Sequence, residues 1–195
     1  MPFFLSRYSE RTVFQVGDSK TDGAEAWKTE LLALLNARGS SAYFLHADVD
    51  YQDGGATVAT MKAIFDGSFA GVTGDADIVT VNLGSNDLSS LPDETTLKNN
   101  YRSMIEAMGA KWSNVKIYLA KPVRLDDAPP STPVADMAAL HGWIDDLVGE
   151  YAYVYSGIDE TALEGGDSYA TNLVDVTHYT APGQTAVSAL WNAIV

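Results

Sequence analysis

The chain has no cysteine in its 195 residues. That absence excludes disulfides, thiolate nucleophiles and cysteine-ligated zinc together. It leaves the compartment open, because a secreted protein of this size folds without disulfides. Positive charge is also scarce: 12 Lys and Arg stand against 26 Asp and Glu, for a net charge of −14. Such a chain is repelled by nucleic acid and by anionic membrane surfaces, so neither is expected as a partner. The acidity reads as solubility or as adaptation to a salty medium. No apolar run approaches the ~20 residues that span a bilayer. The start, MPFFLSRYSER, lacks the basic n-region of a signal peptide. The location expected is cytoplasmic by default, or secreted if a leader has been removed.

Several catalytic signatures are missing as well. Gly17-Asp18-Ser19-Lys20-Thr21 fails the Gly-x-Ser-x-Gly elbow at its last position. There is no Walker-type loop and no Gly-x-Gly-x-x-Gly, so nucleotide binding has no support. Asp48-Val49-Asp50-Tyr51-Gln52-Asp53 begins like a calcium loop but lacks the glycine and the closing glutamate that an EF-hand needs. The acidic residues Asp159, Glu160, Glu164 and Asp167 read as a solvated surface.

What is present is a core. Apolar residues make up 46% of the chain and charged residues 19%, the balance of one globular domain over residues 1–195. Candidate strands at Thr12–Val16, Ala42–Leu45, Ile78–Leu83, Val115–Ala120 and Tyr151–Tyr155 are short and rich in β-branched and aromatic residues. Helical spacing fills the intervals, at Ala24–Arg38, Thr57–Phe65, Glu94–Met108, Val134–Val148 and, after Pro182 and Gly183, Thr185–Ile194. Trp27, Leu31, Leu34 and Leu35 share one face of the first. Trp112, Trp143 and Trp191 read as core. Arg124–Pro133 and Ser156–Thr171 read as long loops. Strict alternation of strand and helix predicts a five-stranded, flavodoxin-like parallel sheet inside a three-layer α/β/α sandwich. Ligands of such sheets lie beyond the carboxyl ends of the strands.

Gly-Asp-Ser occurs twice, at 17–19 and at 166–168. The first copy follows a strand and precedes a helix, where the sheet puts ligands and where helix N–H groups could meet an oxyanion. The second has no strand before it and reads as a polar turn. Alone, the first copy reads better as a helix cap. A nucleophilic serine needs a base, and the base an orienting partner. Of three histidines, His46 ends a strand and His141 stands four residues before Asp145, the spacing of a surface pair on a helix. His178 follows Asp175 at three residues, close enough for the carboxylate to hold the imidazole tautomer while the other ring nitrogen accepts a serine proton. An oxyanion needs fixed donors. Gly84-Ser85-Asn86-Asp87 follows the third strand and brings an amide, and Gly54-Gly55 opens a helix after the second.

These blocks, in this order and each after its own strand, resemble the SGNH hydrolases, the GDSL-type esterase superfamily. Ser19 matches the first block, Gly55 in Gly55-Ala56-Thr57 the second, Asn86 the third, and Asp175 with His178 the last. The resemblance spans residues 13–178. It implies a metal-free and cofactor-free hydrolysis of esters or thioesters through an acyl-enzyme. Ser19 is the implied nucleophile, His178 the base and acid, and Asp175 its orienting group. The implied oxyanion hole combines the Ser19 and Gly55 N–H groups with the Asn86 amide. Lys20 departs from the pattern, since many members carry an apolar residue there, and is expected to alter the pocket wall. Arg124 is a candidate contact to a sugar hydroxyl or carboxylate, and Thr177 and Tyr179 flank the base as candidate lining. The expected substrate is a short acyl ester, acetate above all, with carbohydrate as a candidate carrier. The competing readings are a thioesterase, a lysophospholipase, or a catalytically silent carbohydrate-binding module.

Overall fold

The computed structural model describes residues 9–21, 25–38, 42–46, 51–126, 133–163, 171–175 and 177–195. Its strands are β1 (Ser9–Gly17), β2 (Ala42–His46), β3 (Tyr51–Gln52), β4 (Ile78–Asn82), β5 (Lys116–Lys121) and β6 (Val154–Asp159). Its helices are α1 (Glu25–Ala37), α2 (Val58–Ser68), α3 (Glu94–Lys111), α4 (Met137–Glu150) and α5 (Ala181–Ile194).

The sheet is wholly parallel, in the order β2-β1-β4-β5-β6. The two-residue β3 pairs with Val16 and Gly17 on the edge of β1 that β2 flanks further back. β2 and β3 thus act as one interrupted strand, and the sheet is the expected five-stranded one. α1 packs on α5, while α2, α3 and α4 contact one another in sequence. With right-handed crossovers, this puts α1 and α5 on one face and the other three helices on the opposite face. The strand order reverses between β1 and β4, so the crevice beyond their carboxyl ends is the natural ligand site.

The core follows from burial on both faces of the sheet. β4, Ile-Val-Thr-Val-Asn, is buried at every position. Trp27, Leu31 and Leu35 of α1 meet the same core as Val187 and Trp191 of α5. On the other side Phe14, Tyr51, Phe65, Phe69 and Trp112 form a ring cluster, with Phe65 and Phe69 stacked at 4.5 Å between centroids. Side-chain caps start α2, α3 and α5: Thr57 accepts from Thr60 N at 3.2 Å, Asp93 from Thr96 N at 3.0 Å, and Thr180 from Gly183 N at 3.1 Å.

Most element boundaries shift by one to three residues from the sequence reading, and the two largest shifts are at the end of the chain. The last strand runs Val154–Asp159, not 151–155, because Ser156 pairs beside Leu119 despite its loop-like composition. The last helix begins at Ala181, not 185, because a proline in the first turn gives up an N–H that has no helical partner there. The second Gly-Asp-Ser, at 166–168, lies outside the described residues.

Candidate active site

β1 ends at Gly17, wedged between Gln52 of β3 and Asn82 of β4. Asp18 and Ser19 step off the sheet at the point where strand order reverses. They enter a tight turn in which Thr21 N–H donates to the Asp18 carbonyl at 2.9 Å. Lys20 N–H donates to the Asp18 carboxylate at 3.0 Å. Residues 18–21 are turn and not helix, so neither Asp18 nor Ser19 caps the helix described from Glu25. Asp18 is fully buried and its second oxygen accepts the Ser85 hydroxyl. Burial pushes the Asp18 carboxyl up, against the pull of the Lys20 charge and the hydrogen bonds from Ser85 and Lys20.

His178 reaches Ser19 from the other end of the chain. Its loop is closed by Thr180 N–H to Asn172 O at 2.9 Å, Val174 N–H to His178 O at 2.8 Å, and a bridge between Leu173 and Tyr179. Inside the loop one Asp175 oxygen accepts the backbone N–H groups of Thr177 and His178, each at 2.8 Å. The other lies 2.6 Å from His178 Nδ1. Partial burial pushes this carboxyl up. The two backbone N–H groups, then the imidazole, outweigh it and bring the carboxyl down to about 2. Asp175 is therefore ionised and accepts only, so Nδ1–H donates to it and Nε2 is the ring nitrogen left to face Ser19. Nε2 sits 2.9 Å from Ser19 Oγ. A hydroxyl, a proton acceptor aimed at it and a fixed anion behind form one line, which can pass the Ser19 proton to His178 as the oxygen attacks an electrophile.

The loops that carry Gly55 and Asn86 bond to each other. Asp53 O accepts Ala56 N–H at 3.0 Å across a turn whose third residue, Gly55, takes φ of +81°. That left-handed backbone is what a type II turn demands, and it belongs to Gly55 rather than Gly54. Asn86 Nδ2 donates to Ala56 O at 3.0 Å, and Asp87 accepts Val58 N–H at 3.0 Å. Burial pushes the Asp87 carboxyl up. Adjacent residues after β4 thus clamp the glycine loop, and Ser85 clamps the serine loop. The sequence reading missed Ser85 and Asp87 as clamps. Their signal was present, since both lie inside the Gly84–Asp87 block.

A model of the GDSL-like Lipase/Acylhydrolase family matches residues 16–186, most of the chain and every element of this arrangement. The chain belongs to that family. It is a carboxylic ester hydrolase of the SGNH type. Among solved structures it is similar to the Clostridium thermocellum family 3 carbohydrate esterase, with a TM-score of 0.70 and 17% identity over 95% of this chain and 94% of that one. The lipase/acylhydrolase from Enterococcus faecalis gives 0.69 and 18% over 94% of each chain. The acetyl xylan esterase AlAXEase gives 0.70 and 18% over 94% of this chain and all 100% of the other. At such identities these likenesses are of fold. No curated protein matches the chain.

The remaining candidates of the esterase fall in different places. Thr177 is buried, its hydroxyl 3.4 Å from both the Asp175 carboxylate and His178 Nδ1. Tyr179 is 8% exposed with its hydroxyl turned inward to Glu160 and to Asn82 Nδ2. Arg124 is half-buried beyond β5, and its carbonyl accepts Val134 N–H at 3.2 Å. His141 does not pair with Asp145: its Nε2 lies 2.8 Å from Pro122 O, while Asp145 takes Lys121 at 2.8 Å. The acidic stretch after β6 is not all solvated either. Glu160 is completely buried and ion-paired with Lys20, so Lys20 fills the interior below the serine turn rather than a pocket wall. Glu164 and Asp167 lie outside the described residues. Among the described residues no group of three or more His, Cys, Asp or Glu gathers to hold a metal ion, and no helix is long and apolar enough to cross a membrane.

Proposed function

We propose that the esterase removes short acyl groups, acetyl first, from carbohydrate or similar alcohols through a Ser19–His178–Asp175 triad. The observation that carries this reading is the Ser19 Oγ to His178 Nε2 contact of 2.9 Å, backed by the Asp175 carboxylate. Ser19 Oγ attacks the ester carbonyl carbon while its proton moves to Nε2. Negative charge collects on the former carbonyl oxygen. The Ser19 N–H, the Gly55 N–H and the Asn86 amide receive it. Asn86 spends one of its two amide hydrogens on Ala56 O, which fixes the side chain, and offers the other. The carbon–oxygen bond to the alcohol then breaks, and Nε2–H protonates the departing alkoxide. Water repeats the sequence on the acyl-Ser19 ester, gives its proton to Nε2 and releases the carboxylic acid.

The acyl length and carrier are supported by the fold relatives named as a carbohydrate esterase and an acetyl xylan esterase. Arg124, beyond β5 on the same edge, is assigned to a sugar hydroxyl or carboxylate of the substrate. The test is hydrolysis of p-nitrophenyl acetate, butyrate and octanoate, and of acetylated xylan, by wild type and Ser19→Ala. The expected result is acetate fastest and loss of all activity in the variant. Octanoate fastest would move the enzyme to lipid-type substrates, and full activity in Ser19→Ala would refute the site.

A further inference from the structure

Directly beneath the proposed triad lies a buried polar hub that the mechanism does not use. Lys20 is the residue after Ser19, and Tyr179 is the residue after His178. Glu160, in the 3-10 turn that follows β6, joins them. Lys20 Nζ donates to Glu160 Oε2 and to Val123 O, the latter at 2.7 Å. Val123 N–H donates to the same Glu160 oxygen at 2.8 Å. Glu160 Oε1 accepts the Tyr179 hydroxyl and, at 2.8 Å, Asn82 Nδ2. The Tyr179 ring also lies 5.6 Å below the Lys20 ammonium. The side chains of Lys20 and Glu160 are both 0% exposed.

One carboxylate therefore binds the serine turn, the last residue of β4, the segment after β5 and the histidine loop. Four donors fill the four lone-pair positions of its two oxygens. A buried ion pair is weak evidence for stability, since apolar residues of similar volume often serve the fold as well. Here Glu160 joins, through Lys20 on one oxygen and Tyr179 on the other, the two chain segments whose separation sets the proton transfer. We infer that the Lys20–Glu160–Tyr179 hub is the positioning element that holds Ser19 Oγ and His178 Nε2 in register. It touches no reacting atom and acts only through the backbone of its neighbours. This inference rests on the triad proposed above.

The test uses the full chain and two variants beside Ser19→Ala. Tyr179→Phe keeps the ring and deletes one donor to Glu160. Lys20→Met with Glu160→Gln removes both charges together, so neither is left uncompensated in the interior. A displacement of about 1 Å between reacting groups costs about 100-fold. The expected result for each folded variant is a kcat on p-nitrophenyl acetate at least about tenfold below wild type. KM should stay near wild type, because the hub lines no substrate. Labelling of Ser19 by a fluorophosphonate should slow in proportion to kcat. A hub that serves only the fold would lower the melting temperature and leave kcat and labelling at wild-type values. That result in Tyr179→Phe, the variant least able to unfold the protein, would overturn the inference. If Ser19→Ala is inactive while Tyr179→Phe is fully active, the positioning role alone fails. If Ser19→Ala keeps its rate, the triad fails and the hub's role falls with it.

Discussion

Replacing Asp175 by Asn and by Ala separates two jobs that this carboxylate does through two different oxygens. One oxygen holds the loop by accepting two backbone N–H groups at 2.8 Å, and the other faces His178 Nδ1 at 2.6 Å. In Asp175→Asn the amide oxygen is pinned by the two N–H donors, so the amide NH2 must face Nδ1. Nδ1 then has to accept, the ring proton moves to Nε2, and Nε2 presents a hydrogen to Ser19 where a lone pair is needed. A wrong-tautomer imidazole of this kind lowers kcat by up to about 10⁴-fold. The loop bonds survive, so the melting temperature should stay close to wild type. In Asp175→Ala the tautomer is free and Nδ1–H can turn to water, because the Asp175 and His178 side chains are 49% and 46% exposed. The loss there is one charge-assisted hydrogen bond, ~1.5–3 kcal/mol before water compensates, which with solvent discounted comes to about 5–30-fold in kcat at 1.4 kcal/mol per decade. The two orphaned N–H groups cost about 1 kcal/mol at a partly wet site, or roughly 2–4 °C in a domain of this size. The assays are kcat/KM on p-nitrophenyl acetate and thermal unfolding at one pH. The variants should rank oppositely, with Asn the more stable and the less active. An Asn variant at least as active as the Ala variant would refute the tautomer argument.

Other perturbations follow the same geometry. Gly17→Ala puts a Cβ 2.0 Å from Thr21 Oγ1, 2.5 Å from Thr21 Cβ and 3.1 Å from Asn82 O; it should cost about 1–3 kcal/mol in denaturant unfolding, and since Thr21→Ala keeps the Cβ contact, that second change should not restore wild-type stability. Asn86→Ala should lower kcat by about 10²–10³-fold as an oxyanion donor is removed, with a burst of p-nitrophenol showing whether acylation still occurs. Asp18 titrates above 3.8 in the fold because it is buried, so its ionisation opposes folding as pH rises from there. Asp18→Asn should gain stability relative to wild type across that rise, measured as unfolding free energy between pH 4 and pH 8; a flat difference would mean that burial does not govern this carboxyl. Asp175 runs the other way: its pKa is lowered to about 2, so its contribution is complete above 3.8 and disappears as pH falls through 2.

Most of the architecture was legible because hydrophobic pattern and element order decide it. Each buried strand carries a run of Val, Ile, Tyr or Phe, and the alternation with helices leaves few topologies. Ser19, His178, Asn86 and Gly55 were legible for a different reason: each stands in a loop directly after a strand or before a helix, so its edge of the sheet is fixed by chain order. What stayed hidden was pairing across long separations. Glu160 looks like one acid among several, and only its meeting with Lys20, 140 residues away in sequence, makes it an interior residue. Ser156 and Gly157 look like a loop until β5 supplies the neighbour that makes them strand.

The same distinction explains why the site is assembled as it is. The proposed catalytic groups sit on four loops, with Asp175 and His178 alone sharing one, and local hydrogen bonding within a loop does not fix its side chain against those of the others. The structure supplies the missing constraint by linking the loops in pairs. Ser85 reaches Asp18, Asn86 reaches Ala56, Asp87 reaches Val58, and Glu160 reaches Lys20 and Tyr179. Three of the carboxylates involved, on Asp18, Asp87 and Glu160, are buried and accept hydrogen bonds there rather than facing solvent. Burying a carboxylate is costly unless donors surround it. That cost turns each carboxyl clamp into a constraint, because a loop that drifts leaves a buried polar group without its partners. The rigidity that the proposed roles of Ser19 and His178 require therefore comes in large part from polar groups set back from the reacting atoms, Ser85, Asp87, Lys20, Glu160 and Tyr179, and changing them should alter turnover more than binding.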